Sequence, residues 1–152
     1  MKLTRMAWMA CVLVVPACLM MGCPDQAAKR STMDTNVKNA KMILADLKKT
    51  FAAGQIAEVS NQRGGEQDAR MGLLAMLVAE KLPYMVNKRV TDASTKTALQ
   101  AKLKEAIGLI DNMLVPKFNE AQASKKPEDA KALIPLMDQL DKQLDEVGKL
   151  LP

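Results

Sequence analysis

The side chain best placed to do chemistry is the thiol of Cys23. It closes the run Leu19-Met20-Met21-Gly22-Cys23, with the small Gly22 directly before it. Lys2 and Arg5 give a basic start, and no residue from Met6 to Gly22 is charged. That order is the plan of an export signal ending in a cysteine. Other reactive-looking groups are weaker. Asp138, Asp141 and Asp145 share one helix face at spacings of three and four. A hard cation needs oxygens converging from several directions, so this stripe reads as a solvated or paired flank and no metal is expected. Ser124 beside Lys125 imitates a serine–lysine dyad, yet it falls in a short loop with no oxyanion partner in view. Gly64-Gly65 has neither a preceding strand nor a following Lys-Ser or Lys-Thr pair, so it reads as a turn over 61–65 and not as a phosphate loop. Glu80 and Lys81 flank an apolar run and are read as reaching out to solvent.

What is missing narrows the chemistry further. The chain has no histidine, and its three cysteines all lie at or before position 23. The remainder therefore has no imidazole and no thiolate, which removes the common zinc, copper, haem and iron–sulfur sites. Beyond Trp8 the aromatic residues are Phe51, Tyr84 and Phe118, poor equipment for stacking on bases. The expectation is a protein that is no enzyme, carries no cofactor and binds no nucleic acid.

The order of basic start, apolar centre, small residue and cysteine resembles a bacterial lipoprotein signal peptide. The resemblance implies cleavage after Gly22, a diacylglycerol on the Cys23 sulfur and an acylated amino terminus. Met20 stands where that family prefers leucine, and Cys18, preceded by Val15-Pro16-Ala17, is the alternative lipid site. A membrane-spanning helix is the competing reading. It needs about 20 apolar residues, more than 6–22 supplies, and Pro16 interrupts the run. In either case the domain behind the signal sits on the periplasmic or outer side of a bacterial membrane, and two acyl chains are enough for stable anchoring. Loss of Lys2 and Arg5 with the signal lowers the formal charge from +5 to +3, so basicity is a weak argument for anionic partners. No disulfide can form after residue 23, although the compartment would permit one.

The elements behind the signal read as helices. Residues 1–22 are the signal peptide, 23–31 a lipidated N-terminus and tether, and 32–152 a helical domain. Val37, Ala40, Leu44, Leu47 and Phe51 form the seam of a first helix over 32–53. A second helix, 66–89, carries Met71, Leu74 and Val78, with Pro83 kinking or restarting it. Leu73 and Met76 exceed what its seam needs. A third opens near Thr91-Asp92, capped by Thr91 or Ser94, with Leu99, Leu103, Ala106, Ile110 and Met113 as its seam and Ile107, Leu109 and Leu114 widening that face. A fourth starts at Pro127 and keeps Ala130, Leu133, Met137, Leu140, Leu144, Val147 and Leu151 in register, with Pro135 its one flaw. The expected fold is all-α, an antiparallel four-helix up-and-down bundle. Lys38, Lys41 and Lys48 on the first helix would face Asp138, Asp141 and Asp145 on the fourth. In size, anchor and helix content the chain is similar to pilotins, the lipoproteins that escort secretion-channel subunits, though no residue motif joins them.

The expected function is therefore binding, by an assembly factor or scaffold of the cell envelope. Leu73 and Met76 are its candidate contact residues, since methionine adapts to varied apolar partners. The alternative is a helical bundle that holds a small molecule or lipid between its helices.

Overall fold

A computed structural model describes the backbone of residues 24–57 and 62–152, and the side chains of 32–57 and 64–152. Gly22 and Cys23, with the rest of the expected signal, lie outside the described residues. The described chain is all-α. Its elements are α1 (Pro24–Ala52), α2 (Gln62–Met76), α3 (Leu82–Arg89), α4 (Ala93–Leu109), α5 (Val115–Ser124), α6 (Pro127–Lys131) and α7 (Ile134–Leu150).

Three prolines decide how these elements join. Proline lacks an N–H, and its ring collides with the carbonyl four residues back. Before Pro83 the chain widens into a π turn, Leu77–Lys81, and Leu82 donates its N–H to Leu77 O, five residues back. Before Pro116 it does the same over Ile110–Leu114, with Val115 donating to Ile110 O. The wider turn absorbs the proline, so α2 continues into α3 and α4 into α5. At Pro135 the chain instead breaks at Ala132–Leu133, and the proline sits in the first turn of α7, where its missing N–H costs nothing.

The π turns also rotate the helix beyond them. Each holds one residue more than an α-helical turn would. In the rod formed by α4 and α5, Leu99, Leu103, Ala106, Ile110 and Leu114 are buried, whereas Met113 is 44% exposed. The seam position expected for Met113 thus belongs to Leu114. Along α2 and α3 the buried series Leu74, Val78, Leu82, Val86 advances by fours, a step that would drift off a straight α-helical face.

Two other expectations need correction. The stretch expected to be a tether is helical from Pro24 onward. Ala27, Ala28, Lys29 and Arg30 are strong helix formers. Gly64 and Gly65 lie in the first turn of α2, not in a turn before it. At its other end α1 stops where Gly54 takes φ +68°; Gly54 N–H reaches Phe51 O at 2.8 Å and Gln55 N–H reaches Thr50 O at 3.2 Å. A Cβ on Gly54 would come within 2.9 Å of Pro127 Cβ, so glycine also lets the two connections touch.

Asp92, rather than Thr91 or Ser94, caps α4. Its carboxylate accepts from Thr95 N–H and Ser94 Oγ, both at 2.7 Å. These bonds, the Thr95 amide foremost, hold its pKa down to about 2. A carboxylate with a lowered folded pKa stabilises above its unfolded value near 3.8, and that contribution disappears as pH falls through 2. Asp92→Ala should therefore lower the melting temperature at pH 7 and flatten its decline between about pH 4 and 2. Parallel acid titrations of melting temperature with the same slope would reject the cap.

The core gathers Met33, Leu44, Leu47 and Phe51 of α1 with the inward residues of every other element, and every seam residue expected from Ala130 to Leu151 is buried. Phe51 meets Phe118 with ring centroids 5.8 Å apart, tilted by 42°. Lys41 pairs with Asp145 and, at 3.4 Å, with Asp141, while Lys48 pairs with Asp138. Rising numbers on α1 meet falling numbers on α7, so these two helices run in opposite directions. Lys38 departs from the expected stripe and pairs with Asp34 one turn earlier at 2.7 Å.

Candidate functional site

Surplus apolar side chains on α2 border the surface it shares with α1. Arg70 binds Glu66 in its own helix at 2.7 Å and reaches across to Asp46 of α1 at 3.7 Å. Further along, Asn36 Nδ2 lies 2.9 Å from Met85 Sδ. These two crossings pin α1 beside α2 and α3 in opposite directions. One turn from Arg70 lies Leu73, 42% exposed; one turn from Asp46 lies Met42, 62% exposed. Met76 comes three residues after Leu73 and is half-buried. Spacings of three and four keep each pair on one helix face. The result is an apolar strip of Met42, Leu73 and Met76 beside a charged pair.

Leu73 and Met76 were legible as an excess over the seam of α2. Met42 was not, although its position on the flank opposite Val37, Ala40 and Leu44 is a signal that a wheel drawn through those residues exposes. Tyr84, 59% exposed, is a second residue outside the expectation, and Lys88 Nζ stands 5.2 Å from its ring centroid.

The remaining sequence candidates resolve into ordinary structural roles. Glu80 and Lys81 are exposed at the end of the π turn. Ser124 bonds Asp129 and, at 3.2 Å, Ala121 O, which stitches the α5–α6 connection together. The aspartates of α7 are engaged by Lys41 and Lys48. The hydrogen bond that Lys41 donates to Asp145 raises the Lys41 pKa foremost; burial opposes it, and the charges of Asp141 and Asp145 add to the rise. Among the described residues no group of three His, Cys, Asp or Glu is placed to hold a metal ion. No described helix is long and apolar enough to cross a membrane.

A cleft of about 720 Å³ opens where α1 gives way to α2, lined in part by Leu47, Thr50, Ile56, Gln67, Arg70 and Lys125. Two buried glutamines, each 8% exposed, hold the segment 55–57 that lines it, and Gln67 lines it as well. Gln67 accepts from Ala57 N–H at 3.1 Å and donates to Gln55 O at 3.4 Å. Gln122 donates to Ala57 O at 3.4 Å and to Asp68 at 3.0 Å. Both amides are thus committed to fixing residues 55–57, as buried polar groups must be. Neither glutamine is marked in the sequence, because a glutamine shows nothing of its burial until its partner is known.

No protein-family model, no curated protein and no solved structure matches this chain.

Proposed function

We propose that this protein is a bacterial envelope lipoprotein, anchored through Cys23, that acts by binding another protein as an assembly factor or scaffold. Its four rods are read as an antiparallel bundle presenting the α1–α2 face. The observation that carries the binding reading is the strip of Met42, Leu73 and Met76, apolar and accessible beside the Asp46–Arg70 pair. A flexible apolar surface rimmed by charge suits an amphipathic helix or extended segment of a partner. The signal-like run ending in Gly22-Cys23 supports the anchor.

The test has two stages. Intact mass of protein purified from membranes should equal the chain from Cys23 plus acyl groups, and a Cys23→Ser control should lose them. Leu73→Lys and Met76→Lys should then weaken a co-purifying partner at least tenfold, about 1.4 kcal/mol, while leaving the helical circular-dichroism signal intact. An unacylated wild-type chain would remove the anchor; a partner held equally by both variants would remove this face.

The cleft beside residues 55–57 favours a second reading, a small-molecule binder. Its lining mixes the paired Glu66 and Arg70, Gln67 and Lys125 with Leu47 and Ile56, so a polar compound suits it better than an acyl chain. A ligand that co-purifies and is lost on Arg70→Ala would support that alternative.

A further inference from the structure

The two ends of the fold differ in charge. At one end a Cβ on Gly148 would lie 3.8 Å from Val37 Cγ1, Asn36 meets Met85, and Lys96 Nζ donates to Asn87 O at 2.8 Å. The start of α1, the turn from α3 to α4 and the end of α7 therefore lie together. Over residues 32–38, 85–98 and 146–152 this end holds five basic residues, Lys38, Lys88, Arg89, Lys96 and Lys149, against Asp34, Asp92 and Glu146. Each acid has a partner: Asp34 is paired with Lys38, Asp92 with the amide it caps, and Glu146 with Lys102. The opposite end, over 49–57, 64–70 and 111–132, holds six basic and six acidic residues. The positive excess of the folded part is thus concentrated at one end.

We propose that this end, presenting Lys88, Arg89, Lys96 and Lys149, docks on an anionic lipid surface through the phosphates of its headgroups. The proposal builds on the anchored reading. Cys23 directly precedes α1, and about 12 Å of helix separates Pro24 from Thr32, against about 43 Å for the whole of α1. A chain held at Cys23 brings the basic end to the bilayer and keeps the balanced end away. Tyr84, exposed beneath Lys88, adds a side chain suited to headgroup depth. Basic residues near such a surface are attracted individually, and salt weakens the attraction.

The test is lysine acetylation of the full chain, purified from membranes and reconstituted into phosphatidylcholine vesicles with or without phosphatidylglycerol, read residue by residue by mass spectrometry. Phosphatidylglycerol should slow acetylation of Lys88 and Lys149 about fivefold and leave Lys126 and Lys131 unchanged, with the slowing reversed by high salt. Equal rates at the two ends, or slowing that neutral vesicles reproduce, would overturn the docking face. Intact mass from the same sample separates the two claims. An acylated chain with equal rates keeps the anchor and loses the docking face. An unacylated chain that still shows the slowing keeps the docking face and loses the anchor. An unacylated chain with equal rates loses both.

Discussion

Phe51→Ala is expected to cost about 3–5 kcal/mol of folding stability, and about 10–20 °C in melting temperature for a domain of this size. The ring is fully buried at the last turn of α1 and packs on Phe118 of α5. Truncation removes the transfer energy of the ring and leaves a cavity. The void cannot close readily, because Gly54 and Pro127 already hold the adjacent connections in contact. Natural domains have only about 5–15 kcal/mol in hand, so this one change consumes a large share. Phe51→Leu should cost much less, since it refills most of the space. Thermal melts of the two variants check the pair. A shift of less than about 3 °C for Phe51→Ala would mean that the ring does not anchor α1 to α5.

The next largest effect is expected from reversing charge along α7. Changing Asp138, Asp141 and Asp145 together to lysine replaces the attraction of Lys41 and Lys48 by repulsion. Partly exposed pairs are each worth about 0–1 kcal/mol, and repulsion adds a similar amount, so the triple change should cost roughly 2–4 kcal/mol. The loss should shrink as salt rises, because these groups are reached by solvent. Lys41→Asp with Lys48→Asp, introduced on the same background, should restore most of the stability. Urea melts and sizing at two salt concentrations read the result. An unchanged midpoint for the triple variant would show that apolar packing alone places α7. The wild-type pairing itself should fade only at high pH. The raised Lys41 pKa gives a contribution fully present below 10.5 and lost as pH climbs past the folded value.

The helices and the core of α7 were legible because Leu133, Met137, Leu140, Leu144 and Val147 repeat at threes and fours, and burying a large apolar side chain contributes about 1.5–3 kcal/mol. Such a pattern leaves little freedom over which face turns inward. Met113 failed for a nameable reason. Pro116 was visible, but a chain can answer a proline by kinking, by widening or by stopping, and that choice depends on what packs against the helix. Pro83 and Pro116 widen the turn and Pro135 stops the helix, from nearly identical local sequence. Within the candidate strip, Leu73 was found because it exceeded the needs of its seam. Met42 shows only as an apolar residue on the flank opposite its seam, a weaker signal than an excess beside one. The helical form of 24–31 is hidden by its polar composition, although Ala27 to Arg30 favour a helix.

The widened turns have a consequence for measuring this molecule. A π turn fits an extra residue into nearly the same length of axis, so residue count and height part company along α2–α3 and along α4–α5. Counted at the α-helical rise, Tyr84 or Phe118 would be placed about 1.5 Å too far along and roughly 100° around from its true bearing. Cross-linkers, spin labels or distance restraints assigned by heptad arithmetic would agree before Leu77 and Ile110 and disagree after them. The two turns act as fixed offsets in the ruler by which the rest of the chain is read.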